Sequence, residues 1–412
     1  MYTQKVFNEP AFDAKHKNKI EEEIKKIQKE IEEGALPQFS ISLEENDLDD
    51  MVKKAEIIRK NFTKVVIIGV GGSNLGAKAL SILSKNPDYI MFLDSIDPVT
   101  LEKQINSLDL MNTYFISISK SGETIETLSH TIIVINILQK NGIKDINSRF
   151  LFITENKENT LTNIAKQSHI EIVSHPSDIG GRYSYLSVVG LLPSLLLGLD
   201  IKKIRAGAKK YLEQIKVMSD VADNSDSDLV KACLAQVSLF DNNVNMSIFM
   251  YYTDILVGFV NWYRQLLAES IGKGGYGATP VNAVGTKDQH SQLQLYLHGP
   301  KDKFYTFLTM KNYERNYKLD TSFIKNFKYK KINGKYLSEI LKIEEKSTIE
   351  VIKNQNLPVR VVEFESLNEQ SLSMLMMQMF LEVIILCRVK NINPFDQPAV
   401  ELRKKIARRD LL

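Results

Sequence analysis

Four hydroxyl side chains and one lysine occur within nine residues, in the stretch Ser119–Thr127 (SKSGETIET). The β-branched and aromatic residues of 113–118 (TYFISI) predict a strand before it, and the apolar run 128–138 predicts a helix after it. A strand-to-helix turn directs backbone N–H groups and the positive end of the helix dipole at one spot. Hydroxyls at that spot suit a phosphate. A serine or threonine followed by glutamate is also typical of a capping box, so the stretch alone leaves a cap and an anion site open.

A glycine-rich turn, 69–76 (GVGGSNLG), follows a second predicted strand at 65–68 (VVII). It matches the dinucleotide-binding fingerprint only in part, and no Walker loop is present. Gly72 allows close approach of the backbone to a ligand, and Ser73 adds a hydroxyl. A tight turn without a ligand fits the same residues. Because ligands of parallel sheets bind beyond the carboxyl ends of the strands, the two turns together predict a two-loop anion site.

Composition excludes several classes of protein. The 412 residues include 53 Lys and Arg against 50 Asp and Glu, a net charge of +3 that calls for neither nucleic acid nor an anionic membrane as a partner. The two cysteines, Cys233 and Cys387, lie in apolar runs and are expected to be buried free thiols, which excludes a disulfide framework. No secretory signal opens the chain. The apolar stretches 188–199 and 372–385 are expected to be too short or too interrupted to span a bilayer. We therefore expect a soluble cytoplasmic protein.

Strands that alternate with helices from residue 65 onward predict an α/β protein with doubly wound parallel sheets. A second cycle begins with the strand 246–252 and the helix 253–270. The polar segment 220–228 could cap a helix at 231–239. The remaining helices are predicted at 13–33, 43–62, 188–211, 371–389 (a Met-rich core helix) and 397–412.

Six short motifs, in order from about residue 65 to residue 404, resemble those of the glucose-6-phosphate isomerase family. They are 71–76 (GGSNLG), 119–124 (SKSGET), 180–184 (GGRYS), 269–273 (ESIGK), 285–290 (GTKDQH) and 395–404 (FDQPAVELRK). The chain departs from the family pattern at Lys287, Asp288, Ala399 and Ile271, which affects loop details near residue 290.

The resemblance implies a fold of two doubly wound parallel-sheet sugar isomerase (SIS) domains with helical N-terminal and C-terminal segments. The implied division is 1–63 (N-terminal helical segment), 64–185 (first SIS domain), 186–395 (second SIS domain) and 396–412 (C-terminal helix). It also implies a homodimer with shared active sites, a small sugar phosphate as substrate, and no metal or other cofactor. The implied reaction is the reversible isomerisation of glucose 6-phosphate and fructose 6-phosphate, in glycolysis and gluconeogenesis.

Isomerisation through a cis-enediol needs one group that takes and returns a proton, and a buried carboxylate suits this task. The resemblance gives this role to Glu269, which by position alone could be a solvated residue at a helix end. A fixed guanidinium would stabilise the negative enediolate. The resemblance gives that role to Arg182, for which a structural salt bridge is the alternative.

Ring opening needs a proton donor and acceptor near neutral pH, for which histidine is suited. Of the six histidines, only His290 lies in a family motif, and the resemblance assigns it ring opening with the help of Lys404. Gln397 is expected to hydrogen-bond the phosphate or the intermediate. The other basic residues of the C-terminal helix are expected to be solvated: Arg403, Lys405, Arg408 and Arg409.

The resemblance assigns the phosphate to the two turns. The implied binding residues are Gly72, Ser73, Ser119, Lys120, Ser121 and Thr124. Two alternatives stay open: an isomerase that acts on mannose 6-phosphate, and a sugar-phosphate sensor without catalytic activity. A sensor needs only the phosphate loops, so the joint presence of Glu269, Arg182, His290 and Lys404 favours an enzyme.

Overall fold

The computed structural model describes residues 1–8, 14–219, 227–313 and 317–411. Within these residues the strands are β1 (Tyr2–Phe7), β2 (Lys64–Ile68), β3 (Ile90–Leu93), β4 (Thr113–Ile118), β5 (Phe150–Thr154), β6 (Glu171–Ser174), β7 (Met246–Tyr251), β8 (Thr279–Val284), β9 (Lys303–Met310) and β10 (Val359–Phe364). The helices are α1 (Ala14–Glu32), α2 (Pro37–Ser40), α3 (Leu48–Asn61), α4 (Leu75–Ser81), α5 (Pro98–Asn106), α6 (Ile125–Lys140), α7 (Thr160–Ser168), α8 (Val188–Leu196), α9 (Ile201–Ser219), α10 (Asp228–Asp241), α11 (Val257–Ile271), α12 (Gly285–Asp288), α13 (Leu293–His298), α14 (Leu337–Asn354), α15 (Glu369–Val389) and α16 (Pro398–Arg409).

The first sheet has the strand order β3-β2-β4-β5-β6, and all of its pairs are parallel. The interior strand β2 is buried on both faces: Val65 and Ile67 belong to one hydrophobic core, and Val66 and Ile68 to another. A strand with a core on each side is the mark of a doubly wound sheet. The prediction of this architecture is confirmed, and β2 and β4 end at the same edge of the sheet.

The second sheet has the order β1-β10-β9-β7-β8. Strands β7 to β10 are parallel, while β1 runs antiparallel to β10, with Tyr2 opposite Phe364 and Phe7 opposite Val359. The description of 1–63 as a helical segment is therefore wrong at its start, because residues 2–7 form an edge strand. Strand β8 was not predicted either. Its Pro280 lowers strand propensity and is tolerated here because β8 lies at the sheet edge.

The hydrophobic core that includes Val65 and Ile67 extends to α15, which packs against α9, α10 and α11. This helix is 21 residues long and contains an 18-residue window with a mean hydropathy of 1.8, so it is long and apolar enough to cross a membrane, and it is the one such helix in the described part of the chain. The expectation that residues 372–385 are too short was thus wrong on length. However, 94% of its apolar window is buried inside the fold, as expected for a core helix.

Several element boundaries differ from the predictions. The segment 188–211 contains two helices, α8 and α9, separated by a turn in which Gly198 adopts a φ of +78°. Helix α3 begins at Leu48 and not at residue 43. Residues 220–226 of the predicted capping segment lie outside the described residues, and Ser227 caps α10 by accepting a hydrogen bond from the backbone of Val230. Cys233 and Cys387 are buried and free, as predicted.

Candidate active site

A cavity of about 550 Å³ lies beyond the carboxyl ends of β2 and β4. It is bordered by the turns that follow these two strands and by the helices α11 and α16. Nine of the eleven predicted site residues line it: Gly72, Ser73, Lys120, Ser121, Thr124, Arg182, Glu269, Gln397 and Lys404. The remaining two, Ser119 and His290, lie elsewhere. Residues that are far apart in the sequence therefore meet in one place, as the two-loop anion site requires.

The hydroxyl-rich turn after β4 forms one wall of the cavity. Thr124 occupies the N-cap position of α6 in an extended conformation, yet its side chain makes no capping hydrogen bond. Ser119 is buried beneath the turn, 1% exposed, and its Oγ donates to Thr124 Oγ1 at 3.0 Å. Gly122 has a φ of +68°, and a Cβ there would lie 1.9 Å from Asn159 Oδ1. The turn is thus tightly packed from behind, and its hydroxyls and the positive helix terminus face the cavity.

Lys120 lines the same wall of the cavity, and its ammonium group contacts residues that lie behind this wall. Its Nζ donates to the carbonyl oxygen of Ile179 at 3.1 Å and lies 3.7 Å from Glu155 Oε1. His175 lies behind this pair, where burial lowers the pKa of its imidazole. The lysine therefore adds positive charge to the hydroxyl wall from a fixed position.

The glycine-rich turn after β2 packs directly on the turn that carries Arg182. Residues 71–73 form a short 3₁₀ turn. A Cβ on Gly72 would lie 2.3 Å from the carbonyl carbon of Gly181 and 2.7 Å from the backbone nitrogen of Arg182. No larger residue fits this contact without moving one of the two turns. Gly72 therefore allows the two backbone turns to touch, and it also allows a ligand to approach the backbone.

Glu269 lies in the last turns of α11, with its side chain 30% exposed at the cavity. One of its oxygens, Oε2, is 3.6 Å from Arg182 Nη1. The guanidinium is buried, with a side chain 3% exposed, and Nη1 donates to Gln397 Oε1 at 2.7 Å. A carboxylate and a guanidinium thus share the cavity beside a neutral amide. This pairing can move a proton and stabilise negative charge within one small site.

Gln265 is a cavity residue that the sequence analysis missed. Its Nε2 donates to Glu269 Oε1 at 3.1 Å, and its own Oε1 is buried without a hydrogen-bond partner among the described residues. Gln265 precedes Glu269 by one helical turn, so the i, i+4 spacing on a predicted helix could have identified it. Its amide fixes the orientation of the Glu269 carboxylate.

The C-terminal helix α16 closes one side of the cavity. Lys404 Nζ lies 2.6 Å from Glu401 Oε1 on the same helix. Arg403 was expected to be solvated, but it lines the cavity and its Nη2 donates to Glu126 Oε1 at 2.9 Å. Its side chain is 68% exposed, as expected for a solvated residue, and it meets an acidic partner because α16 lies against the start of α6. The side chain of Arg408 lies outside the described part of the helix.

His290 is exposed and does not line the cavity of its own chain. It follows α12, and its backbone nitrogen donates to the carbonyl oxygen of Lys287 at 3.1 Å. The neighbouring Gln289 accepts a hydrogen bond from Tyr252 Oη at 3.1 Å and donates one to Glu344 Oε2 at 3.0 Å. The segment is thus attached to Tyr252, which follows β7, and to α14, and the imidazole is presented at the surface. A single chain does not bring His290 together with Glu269.

Across the described ranges, no group of three or more His, Cys, Asp and Glu side chains has an arrangement that could hold a metal ion. The donors that line the cavity are hydroxyls, amides, lysines and arginines, together with scattered carboxylates. This set suits an anionic organic ligand with several hydroxyl groups.

Comparisons with known proteins agree with this site. Residues 50–411 match the family model described as phosphoglucose isomerase. The chain is 36% identical to the "Probable glucose-6-phosphate isomerase" of Methanococcus maripaludis, over 88% of this chain and 82% of that protein. It is 31% identical to the glucose-6-phosphate isomerase of Carboxydothermus hydrogenoformans, over 95% of this chain and 88% of the relative.

The fold is also that of a solved structure. The crystal structure of a hypothetical protein from Thermus thermophilus superposes with a TM-score of 0.87 and 26% identity, covering 100% of both chains. This similarity extends over both sheets and all of the residues that line the cavity. The two parallel-sheet units are sugar isomerase domains, and the chain belongs to the phosphoglucose isomerase family.

Proposed function

We propose that this chain is a glucose-6-phosphate isomerase. It interconverts glucose 6-phosphate and fructose 6-phosphate by ring opening and proton transfer through a cis-enediol, in glycolysis and gluconeogenesis. The observation that carries the proposal is one cavity that joins a hydroxyl-lined helix N-terminus to a carboxylate 3.6 Å from a buried guanidinium. Membership of the phosphoglucose isomerase family supports the choice of substrate.

The phosphate binds at the wall formed by the two turns. Ser73, Ser121 and Thr124 supply hydroxyls, Lys120 supplies charge, and the backbone at Gly72 approaches closely. Ser119 acts from below through its hydrogen bond to Thr124. Neutral donors at a helix N-terminus hold a phosphate and still release it. This end of the cavity fixes the substrate without taking part in bond making.

Glu269 moves the proton between the two reacting carbons. Gln265 keeps one of its oxygens in place, at 3.1 Å, and leaves the other free to approach the substrate. Arg182 lies beside this oxygen and stabilises the negative enediolate. Gln397 hydrogen-bonds Arg182 Nη1 at 2.7 Å and contributes its amide to the same region.

Ring opening requires His290 and Lys404, and this step supports a homodimer. The imidazole of His290 is exposed and lies outside its own chain's cavity, so a neighbouring subunit can receive it. Lys404 lies at the cavity and exchanges its contact with Glu401 for one with the sugar. We place the enzyme in the cytoplasm, without a metal or another cofactor. We also propose the division into 1–63, 64–185, 186–395 and 396–412, with residues 2–7 as a strand of the second sheet.

The decisive experiment is a coupled isomerase assay on the purified protein, with fructose 6-phosphate and with glucose 6-phosphate. The wild-type chain should turn over both, and Glu269→Gln should lower kcat by about 10²- to 10⁴-fold, because a general base is lost. Binding of fructose 6-phosphate without turnover would replace the proposal with a sugar-phosphate sensor. A parallel assay with mannose 6-phosphate decides whether a second aldose is used.

A further inference from the structure

The guanidinium of Arg182 is held almost entirely by neutral oxygen atoms. Nε donates to Ser270 Oγ at 2.9 Å, and Nη2 donates to the carbonyl oxygens of Pro394 and, at 3.3 Å, Asp396. Glu269, at 3.6 Å, is its carboxylate neighbour. Neutral acceptors fix a cation without cancelling its charge, so the charge stays available for a negative intermediate.

Ser270 belongs to a short chain of hydrogen bonds that closes on the same carbonyl. Its hydroxyl lies 2.9 Å from Tyr183 Oη, which donates to the carbonyl oxygen of Pro394 at 3.1 Å. Burial raises the pKa of Tyr183 to about 12, so the phenol remains a donor. Ser270 therefore accepts from Arg182 and donates to Tyr183. Ser270 is fully buried and Tyr183 is 1% exposed, so water does not compete for these bonds.

Lys273 holds the segment that supplies the two carbonyl groups. Its Nζ donates to the carbonyl oxygen of Asn393 and lies 2.8 Å from Asp396 Oδ1. The hydrogen bond from Lys273 lowers the pKa of Asp396 below its ordinary value. Lys273 thus contacts both ends of the segment 393–396. The next residue, Gln397, accepts a hydrogen bond from Arg182.

From these contacts we infer that Ser270 and Lys273 are positioning residues for Arg182. Both follow Glu269 within four residues, so one short piece of chain carries the carboxylate and fixes the guanidinium that faces it. The consequence is specific: the two residues act on the negatively charged intermediate and not on the phosphate end of the substrate. This inference rests on the proposed function and deepens it.

Two inhibitors that differ only at the reacting end test the inference in the full-length protein. A five-carbon sugar-acid phosphate places a carboxylate where the enediolate forms, and a six-carbon polyol phosphate carries no charge there. In Ser270→Ala, the Kd of the acid phosphate, measured by calorimetry, should rise about 10- to 100-fold, because small displacements of a catalytic group have effects of this size. The Kd of the polyol phosphate should change less than about threefold. The kcat should fall with the affinity for the acid, and KM should stay within about threefold.

Lys273→Met should give the same pattern in a weaker form, and Lys273→Arg should restore most of the loss. Ser194→Ala is the matched control, since Ser194 is fully buried and, among the described residues, its hydroxyl hydrogen-bonds only to the carbonyl oxygen of Gly190 on the same helix, at 2.8 Å. Equal weakening of both inhibitors in Ser270→Ala would overturn the inference, because it would indicate general damage. A wild-type chain without isomerase activity would overturn the proposed function, whereas the comparison of the two inhibitors would still decide the inference.

Discussion

Arg403 Nη2 lies 2.9 Å from Glu126 Oε1, and this contact joins α16 to the first turn of α6. Both helices border the cavity: α6 begins at the phosphate-binding turn, and α16 carries Lys404. The contact therefore sets the distance between the end of the site that holds the phosphate and the lysine assigned to ring opening.

Breaking this contact should affect catalysis more than stability. In Arg403→Ala the free energy of unfolding should fall by less than about 1 kcal/mol, because the Arg403 side chain is 68% exposed. The KM for glucose 6-phosphate should rise several-fold as α16 loosens. Steady-state kinetics and denaturant unfolding measure the two effects. Arg409→Ala, which removes only a contact with the adjacent Asp410, is the control, and an unchanged KM in Arg403→Ala would contradict the prediction.

The contact between Arg403 and Glu126 should be lost at acid pH. Partial burial raises the pKa of Glu126, but the hydrogen bond from Arg403, a backbone hydrogen bond and the positive charges of Arg403 and Lys404 together outweigh it, and the net pKa is lowered from the ordinary 4.5. A lowered pKa in the folded state means that the contact stabilises the protein above 4.5 and is lost as the pH falls through the lowered value. Wild-type and Glu126→Gln KM values should therefore differ at neutral pH and converge once the pH has fallen below 4.5 and through the lowered pKa. A constant difference down to that pH would exclude Glu126 as the cause.

Gly72→Ala should abolish most activity. The added Cβ would meet the backbone of Gly181 at 2.3 Å and push away the turn that carries Arg182. A displacement of this kind lowers kcat/KM by about 100-fold or more. Gly180→Ala is the control in the same region, since its Cβ would come no closer than 3.6 Å to another residue, at the Tyr183 ring. Equal activity in the two variants would show that the close contact is not required.

Replacing Ser119 and Thr124 by alanine should weaken binding more than turnover. These hydroxyls act at the phosphate end, and a hydrogen bond to a charged group contributes about 1.5–3 kcal/mol. The KM for fructose 6-phosphate should rise about 10- to 100-fold, while kcat stays within a few-fold. Ser129→Ala, one turn further along α6 and away from the cavity, should change neither value. A large fall in kcat at unchanged KM would show that the turn takes part in the chemistry.

A buried ion pair joins β10 to α15, and its loss should be costly. Arg360 and Glu382 are 1% and 0% exposed and form two hydrogen bonds of 2.8 Å. Glu382→Gln leaves the guanidinium without a counter-charge and should lower the free energy of unfolding by about 3–5 kcal/mol. The double variant Arg360→Met with Glu382→Leu should cost less than either single change.

Denaturant unfolding measures this comparison, and the exposed pair Glu32–Lys216, with side chains 52% and 61% exposed, supplies the control. Glu32→Gln should cost less than about 1 kcal/mol. A cost below that level for Glu382→Gln would mean that the buried pair contributes no more than a surface one.

Shared active sites can be tested by mixing two inactive variants. His290→Ala keeps Glu269, and Glu269→Gln keeps His290, so a mixed dimer with two-fold symmetry contains one complete site. Random pairing of the two subunits makes half of the dimers mixed, and each mixed dimer has one complete site out of two. About one quarter of the wild-type activity should therefore return. Refolding the two proteins together and assaying the mixture measures this. No recovery, with mixed dimers shown to form, would refute the shared site.

The success of sequence reasoning depended on how local each feature is. Ser73, Thr124 and Arg182 lie in short motifs whose backbone turns are set by neighbouring residues, and the structure brings them together. Gln265 lies in no motif. Its place beside Glu269 follows only once residues 257–271 are known to form a helix, because the two residues are then one turn apart. His290 lies in a motif, yet within one chain it is exposed and does not line the cavity that holds Glu269.

Strands β1 and β8 were not predicted from the sequence, for different reasons. Strand β8 contains Pro280, which argues against a strand unless the sheet edge is known. Strand β1 is half polar, and its pairing partner β10 lies more than 350 positions away. No local pattern encodes a pairing of that range, so residues 2–7 could be assigned only from the folded chain.

That pairing has a consequence for the order in which the protein is made. All strands of the first sheet come from residues 64–174, so that sheet can form while the rest of the chain is still being synthesised. Strand β1 is translated before β10 and must wait for it, for roughly 20–70 seconds at about 5–20 residues per second. During this interval its open edge is free to pair wrongly. Strand β1 thus precedes the other strands of both sheets in the chain but is among the last to reach its native place.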